Sequence, residues 1–238
     1  MSRVEDLKVK IFADGADKSG MLEMYNKAYI KGLTTNPTLM KKAGISNYSD
    51  FCKDILTIIK DKPLSFEVFS DDFKEMKSQA LEIASWGENV YVKIPITNTQ
   101  GETCYSLVDQ LTEDGVKVNV TAIMTIEQVS EVSKVLKTDV PSYVSVFAGR
   151  IADTGIDPLP LMREALSVLN NNALAELIWA SPRELLNVFQ ADEIGCHVIT
   201  VTNDILKKLS LVDYDLNTYS LDTVKMFYED ATSAGYKI

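Results

Sequence analysis

The chain has one histidine and three cysteines among its 238 residues. The histidine, His197, opens a predicted strand, and we assign it a structural role because no set of metal ligands lies near it. A histidine in that role also excludes a Ser-His-Asp triad. The cysteines (Cys52, Cys104 and Cys196) are odd in number and widely spaced. This pattern is typical of reduced thiols in a cytosolic protein rather than of a disulfide framework.

Basic charge and long apolar runs are also scarce. The formal net charge is -10 and the sequence pI is about 4.7. Such a chain lacks the basic footprint that nucleic acids and anionic membranes require, although a local basic site for a small phosphate is compatible with it. No apolar run is as long as a membrane span, and the amino terminus lacks the apolar segment of a signal peptide. We therefore expect a cytoplasmic protein with no nucleic-acid or membrane partner.

Nucleotide-binding motifs are missing too, because no Gly-x-Gly-x-x-Gly turn follows a predicted strand and no Walker lysine motif occurs. The chain instead alternates short apolar strands with amphipathic helices. The predicted strands are Val9 to Ala13, Gly32 to Thr35, Leu64 to Val68, Val90 to Ile94, Lys117 to Ala122, Tyr143 to Phe147, Ala175 to Trp179 and His197 to Val201. Predicted helices include Asp71 to Ser85, Glu102 to Glu113, Thr125 to Leu136, and two opened by proline, Pro158 to Leu169 and Pro182 to Ala191.

Eight such repeats without a linker predict an α/β fold, a single (β/α)₈ TIM barrel domain over residues 1–238. A doubly wound open sheet is the structural alternative. An added C-terminal helix is predicted over Leu221 to Ala234, with Val224, Phe227 and Tyr228 on one face. That face is suited to docking either on its own barrel or on a neighbouring subunit, and we expect a homo-oligomer.

Lys93 interrupts the apolar run from Val90 to Ile96, which otherwise reads as a buried strand. An ammonium group is costly to desolvate in such a strand. Burial of a lysine favours the neutral amine, the form that attacks a carbonyl. The run therefore predicts a Schiff-base enzyme. The alternative is a lysine near a strand end that extends its charged head to water.

Polar or aromatic side chains recur at the carboxyl ends of several predicted strands, often two residues apart. Residues at that spacing share one face of a strand, and the carboxyl ends of barrel strands carry active sites. The positions are Asp14, Asn36, Ser65, Glu67, Asn119, Thr121, Ser145 and Phe147. Taken singly, Asp14 is also explained as a helix N-cap and Asn36 as a turn residue before Pro37. Together the positions predict a site at one mouth of the barrel.

Five motifs in order resemble those of the transaldolases, particularly their short forms, over nearly the whole chain. They are Gly32 to Thr38, Val92 to Pro95, Asn119 to Thr121, Ser145 to Ile151 and Ala180 to Arg183. The resemblance implies a class I aldolase-type barrel with no cofactor and no metal, in which Lys93 forms an imine. It also implies that Asp14 is the acid/base acting on a substrate hydroxyl. Glu67 and Thr121 would hold a catalytic water that moves protons.

The same resemblance implies how substrate is held. Asn36, Asn119 and Ser145 would bind sugar hydroxyls or steady the lysine, and Arg150, Ser181 and Arg183 would take a phosphate. Two guanidinium groups and a hydroxyl suit a phosphate monoester, whereas surface ion pairing is the alternative role for either arginine. The implied reaction transfers a dihydroxyacetone unit from a ketose phosphate (fructose 6-phosphate or sedoheptulose 7-phosphate) to an aldose phosphate, in the pentose phosphate pathway.

Two positions bear on whether the enzyme transfers the dihydroxyacetone unit or splits the sugar without transfer. The sister fructose 6-phosphate aldolases usually have Gln and Tyr where this chain has Glu67 and Phe147, the pair usual in transaldolases. An aldolase that releases free dihydroxyacetone, and a barrel that only binds a phosphosugar, remain the alternatives. Gly15, Trp179 and Pro182 depart from the family's usual residues beside Asp14 and Ser181, which allows a different substrate preference.

Overall fold

Eight parallel strands close into a barrel in the computed structural model, which describes residues 4–238. The strands follow chain order around the barrel, and the last pairs with the first. They are β1 (Lys10–Asp14), β2 (Ile30–Thr34), β3 (Leu64–Glu67), β4 (Val90–Pro95), β5 (Val118–Ile123), β6 (Ser142–Val146), β7 (Ala175–Trp179) and β8 (Val198–Thr202). The predicted (β/α)₈ TIM barrel is therefore confirmed, and the open-sheet alternative is wrong.

Helices lie between successive strands and after the last one. They are α1 (Lys18–Tyr25), α2 (Pro37–Lys42), α3 (Tyr48–Ile58), α4 (Phe73–Ala84), α5 (Tyr105–Glu113), α6 (Ile126–Val135), α7 (Ala148–Asp153), α8 (Leu159–Leu169), α9 (Leu186–Glu193), α10 (Asn203–Leu206) and α11 (Leu216–Ser233), with a short 3₁₀ helix at Lys207–Leu211. Polar caps determine several starts: the side chains of Asp17, Asn36, Asn47 and Asp72 each accept a hydrogen bond from a first-turn amide.

Pro182 does not open a helix, and that prediction is wrong. Helix α9 begins only at Leu186. The preceding amides of Arg183 and Glu184 donate instead to the side-chain oxygen of Asn187, at 2.8 and 3.2 Å. Because one carboxamide satisfies both amides, the segment holds a loop conformation at the barrel mouth before the helix starts.

The added C-terminal helix is confirmed but begins earlier than predicted. Asp215 caps α11 by accepting from the Thr218 amide, which places the start at Leu216 rather than Leu221. No residue of α11 is buried, and Phe227 and Tyr228 are 62% and 73% exposed. This face is thus not docked on the chain's own barrel. Docking on a second subunit stays a prediction.

The domain organisation and the absence of a membrane partner are both predicted for the whole chain. The prediction of a single domain over residues 1–238 stays a prediction, and residues 1–3 lie outside the described part. Within residues 4–238, the helices are too short or too polar to cross a bilayer.

A small apolar cluster fills the barrel below its mouth. Its members each lie two residues before a residue that lines the mouth, so they share the inward face of the strand one layer deeper. The pairs are Phe12 before Asp14, Tyr91 before Lys93, Tyr143 before Ser145, Ile178 before Ala180 and Val198 before Thr200. The Tyr143 ring lies 4.3 Å from Tyr91 and 5.6 Å edge-on from Phe12, centroid to centroid. The mouth therefore has an aromatic floor.

Gly32 makes room for that floor. It is the register partner of Phe12 across β1 and β2, and a β-carbon on it would lie 2.5 Å from the tip of the Phe12 ring. The Phe12 side chain is fully buried, so the ring has no free space to move into.

We expect Gly32→Ala to lower the free energy of unfolding by about 1–3 kcal/mol, because the added methyl overpacks the barrel interior. Urea denaturation monitored by circular dichroism measures this. Gly15→Ala is the matched control, since within residues 4–238 no atom beyond its own chain neighbours lies within 4 Å of its β-carbon position. Equal stability of the parent and Gly32→Ala would show that the interior accommodates the methyl and that the floor is loosely packed.

Candidate active site

The carboxyl ends of the strands surround a cavity of about 700 Å³. Of the twelve positions singled out in the sequence, Ser65 does not line it, and the other eleven do: Asp14, Asn36, Glu67, Lys93, Asn119, Thr121, Ser145, Phe147, Arg150, Ser181 and Arg183. Strand register explains much of this convergence. Glu67 pairs with Lys93 and Lys93 with Asn119 on adjacent strands, while Pro95 pairs with Thr121. Side chains from separate strands thus meet on the inner surface.

Lys93 is buried and forms an ion pair inside the cavity. Its side chain is 8% exposed, and Nζ lies 3.0 Å from Oε2 of Glu67. Nζ also donates a hydrogen bond to the carbonyl oxygen of Thr35 at 2.9 Å. The lysine therefore does not extend its head to bulk water, and the alternative interpretation from the sequence is wrong.

Asp14 faces Lys93 and Glu67 from β1. The hydroxyl of Thr34 donates to Oδ1 of Asp14 at 2.8 Å, and the same hydroxyl contacts that of Thr200. Burial raises the pKa of Asp14 above its usual value, and the negative charge of Glu67 adds to the effect. The positive charge of Lys93 and the Thr34 hydrogen bond oppose it without cancelling it. The N-cap interpretation of Asp14 is wrong, because Asp17 caps α1.

A chain of hydrogen bonds links β6, β5 and β3 beside Lys93. Ser145 Oγ donates to Oδ1 of Asn119 at 2.7 Å, and Nδ2 of Asn119 donates to Oγ of Ser65 at 3.1 Å. All three residues are buried. Asn119 is therefore fixed in one orientation next to its register partner Lys93.

Thr121 presents a buried hydroxyl to the cavity. Its Oγ1 has no hydrogen-bond partner within residues 4–238, and the residue is only 2% exposed. Ala122, the next residue, has a φ of 62°. A non-glycine residue with positive φ stores strain of about 1–3 kcal/mol, and such residues cluster at functional sites.

The guanidinium of Arg183 forms hydrogen bonds with Asp153 and with Ser181. Arg183 donates two hydrogen bonds to Asp153, at 2.8 and 2.5 Å, and one to Oγ of Ser181 at 3.0 Å. This bidentate contact lowers the pKa of Asp153 and raises that of Arg183. The ion-pairing alternative therefore holds for Arg183, which nevertheless lines the cavity. Arg150 instead lies over the Phe147 ring, 5.8 Å from its centroid.

Gly149 fixes the position of the Ser181 loop. A β-carbon on Gly149 would lie 1.7 Å from the carbonyl oxygen of Ser181, so only glycine allows this approach. Ser181 has a φ of 59°, a second strained non-glycine residue at the mouth. The glycine in the motif from Ser145 to Ile151 thus has a packing explanation.

Asn36 is a helix N-cap rather than a simple turn residue. Its Oδ1 accepts the Leu39 amide at 3.0 Å and caps α2, and the residue also lines the cavity. His197 is structural, as predicted: its Nδ1 accepts the amide of Leu177 at 3.0 Å, and burial lowers its pKa. It directly precedes β8 rather than opening it.

Several residues at the site were not singled out from the sequence. Thr34 donates to Asp14 and also contacts Thr200. Each threonine lies two residues before another cavity-lining residue, Asn36 or Thr202, and that spacing could have revealed both. The Thr35 carbonyl leaves no sequence signal. In the described part of the chain, no group of three or more His, Cys, Asp or Glu side chains is placed to hold a metal ion.

A model of the Transaldolase/Fructose-6-phosphate aldolase family matches residues 11–238. The chain is 34% identical to a probable transaldolase of Thermoanaerobacter sp. (strain X514), covering 97% of this chain and 100% of that protein. It is 36% identical to probable transaldolase 2 of Listeria monocytogenes, covering 84% and 88% of the two chains. It is 33% identical to a probable transaldolase of Streptococcus agalactiae, covering 90% and 97%.

The chain therefore belongs to the Transaldolase/Fructose-6-phosphate aldolase family.

The raised pKa of Asp14 generates a prediction about stability. A carboxyl group whose pKa is raised by folding destabilises the fold at any pH above its unfolded pKa, because the folded state holds the proton more tightly. We expect Asp14→Asn to increase Tm at neutral pH, because the amide carries no charge that burial penalises. The gain should shrink as the pH falls towards about 3.9, the usual carboxyl pKa. Thermal unfolding of both proteins from pH 4 to 8 measures it. A variant that is less stable than the parent at neutral pH would contradict this electrostatic account.

Proposed function

We propose that the protein is a transaldolase that moves a dihydroxyacetone unit from fructose 6-phosphate or sedoheptulose 7-phosphate to an aldose phosphate. The observation that carries the proposal is the buried Lys93 amine, 3.0 Å from the Glu67 carboxylate, in the same cavity as Asp14. A lysine with a neighbouring proton acceptor can supply the neutral amine that imine chemistry needs. The names of the relatives support the same activity.

The proposed first half of the reaction forms an imine. Glu67 accepts a proton from the Lys93 ammonium, and the free amine adds to the ketone carbon of the donor. Glu67 and Thr121 hold a water that carries a proton to the resulting hydroxyl, which leaves as water. The partnerless Thr121 hydroxyl supports this role, since a buried hydroxyl is costly to leave without a partner.

The second half breaks and remakes a carbon–carbon bond. Asp14 removes the proton from the C4 hydroxyl, the bond between C3 and C4 breaks, and its electron pair moves to the protonated imine. The first aldehyde departs and the three-carbon unit stays on Lys93 as an enamine. Addition of the enamine to the acceptor aldehyde, with the proton returned from Asp14, reverses these steps. The raised pKa of Asp14 suits a group that must both take and return a proton.

Arg150, Ser181 and Arg183 are the proposed phosphate site. Asp153 holds one edge of the Arg183 guanidinium, and Nη1 donates to the hydroxyl and the carbonyl oxygen of Ser181, so the guanidinium and the hydroxyl are fixed side by side. Such preorganisation reduces the entropy lost when a phosphate binds. Asn36, Asn119 and Ser145 are the proposed partners of the sugar hydroxyls and of the lysine.

The wider setting also belongs to this proposal. Sugar phosphates are the proposed substrates, and no cofactor is proposed. We also propose that neither nucleic acid nor a membrane is a partner, and the net charge of -10 supports this last point. We further propose a cytoplasmic location and a homo-oligomer in which the exposed face of α11 is covered.

We expect Lys93→Met to reduce transfer from fructose 6-phosphate to erythrose 4-phosphate below about one-thousandth of the parent rate, because the nucleophile is lost. A coupled assay for the released aldehyde measures the rate. Lys10→Met is the matched control: Lys10 is also a strand lysine paired with a carboxylate, Glu176 at 2.6 Å, but it lies at the opposite end of the barrel and is exposed.

A folded Lys93→Met protein with parental activity would overturn the proposal. So would release of free dihydroxyacetone by the parent at the same rate with and without erythrose 4-phosphate, which would identify a cleaving aldolase. Substrate binding with no turnover would identify a binding barrel.

Phe147 and Glu67 are expected to set how often the dihydroxyacetone unit is transferred rather than released. Phe147 has no hydroxyl, so it cannot donate a proton to an enamine in the cavity that it lines. We expect the Glu67→Gln, Phe147→Tyr double variant to release more free dihydroxyacetone per transfer event than the parent. The two single variants are the controls. Unchanged partitioning in all three would remove these residues as the basis for favouring transfer.

A further inference from the structure

Strand β3 extends beyond the end of its neighbour β2. The register between β2 and β3 covers only Leu33 with Leu64 and Thr34 with Ser65, and a last bond runs from the Thr35 amide to the Ser65 carbonyl. The chain then turns into α2 at Asn36. Glu67, two residues further along β3, therefore has no β2 residue beside it.

The unpartnered edge of Glu67 is the one that faces β2. The Val68 amide donates to the Lys93 carbonyl on β4, so that edge of Val68 faces β4. Because amide and carbonyl groups of successive strand residues alternate between edges, those of Glu67 face the other way. A backbone amide and carbonyl at the end of β3 thus need a partner from outside the sheet.

The hydroxyl of Tyr48 supplies both hydrogen bonds. It donates to the Glu67 carbonyl oxygen at 2.8 Å and accepts from the Glu67 amide at 2.8 Å. One hydroxyl has one proton to give, so its donor capacity is fully used on this residue. Burial raises the pKa of Tyr48, which keeps the phenol protonated and able to donate.

The Tyr48 ring is itself held in place. Tyr48 is the first residue of α3, next to the cap residue Asn47. Its ring packs edge-on against Phe69 with centroids 5.4 Å apart, and against Trp86 at 6.4 Å. An aromatic side chain fixed at both its helix and its ring presents its hydroxyl at a defined point.

We propose that Tyr48 is a positioning residue for catalysis, replacing the missing β2 partner so that the Glu67 carboxylate stays in reach of the Lys93 amine. The inference rests on the proposed function, in which Glu67 moves protons for Lys93. Tyr48 does not line the catalytic cavity and acts only through Glu67. Small displacements of an acid/base group cost rate steeply, so the loss of this hydroxyl should slow imine formation.

The test is Tyr48→Phe, which removes the hydroxyl and keeps the ring. Parent and variant are mixed with fructose 6-phosphate and quenched with borohydride at timed intervals, and intact-mass spectrometry gives the rate of adduct formation. We expect an imine formation rate about tenfold lower, less than the ~100-fold or more that acid–base catalysis contributes, because Glu67 is displaced rather than removed.

The matched control is Tyr25→Phe. Its hydroxyl donates to Asp61 at 2.7 Å, between the end of α1 and the loop before β3, which is the amino-terminal end of the strands. This variant also loses a tyrosine hydrogen bond, but we expect it to keep the parental rate. Thermal unfolding of each variant separates a change in rate from a loss of folded protein.

A double-variant cycle distinguishes positioning from a purely structural role. If Tyr48 acts through Glu67, the Tyr48→Phe, Glu67→Gln double variant should form the imine at a rate within about twofold of the Glu67→Gln single variant. The carboxylate that Tyr48 positions is already absent from both proteins. A full tenfold loss in that background would overturn the inference. So would a Tyr48→Phe protein that is folded and forms the imine at the parental rate.

Failure of the proposed function gives a different result. If the parent forms no borohydride-reducible adduct with fructose 6-phosphate, the imine mechanism is wrong and the positioning of Glu67 for it falls as well. An adduct on the parent that forms at an unchanged rate in Tyr48→Phe overturns the inference alone.

Discussion

The ion pair between Lys93 and Glu67 is the interaction on which the site depends. Neither charge reaches bulk water freely, since the two side chains are 8% and 17% exposed. Removing one partner of such a pair typically costs about 3–5 kcal/mol, because the other charge is left desolvated. Strand register brings the two residues together, because Glu67 and Lys93 are partners on adjacent strands of the closed barrel.

The surroundings keep this pair chemically usable. The aromatic floor of Phe12, Tyr91 and Tyr143 excludes water from below, which strengthens every electrostatic contact above it. Asp14 then faces one positive and one negative group, and burial decides the balance by raising its pKa. Three ionisable groups in one cavity thus cannot all carry charge without cost, and this is the condition under which protons move between them.

The strand periodicity of two made most of the site predictable. Lys93, Glu67, Asn119 and Thr121 follow apolar strand residues, and parallel strands in a barrel end at one mouth. What the sequence could not supply was local geometry. The Thr35 carbonyl carries no side-chain signal, and Asp153 pairs with Arg183 from the end of α7. The Asn187 side chain binds the amides after Pro182, so α9 begins later than predicted. The exposed face of α11 shows the same limit, since a periodic pattern marks an apolar face but not the surface that covers it.

The central claim is that the Lys93 amine condenses with a keto sugar. Peptide mapping by mass spectrometry, after incubation with fructose 6-phosphate and reduction with borohydride, tests it most directly. The account predicts a reduced three-carbon adduct on the peptide that contains Lys93, and none when the sugar is omitted. An adduct on another lysine, or no adduct from an enzyme that still turns over the sugar, would contradict it.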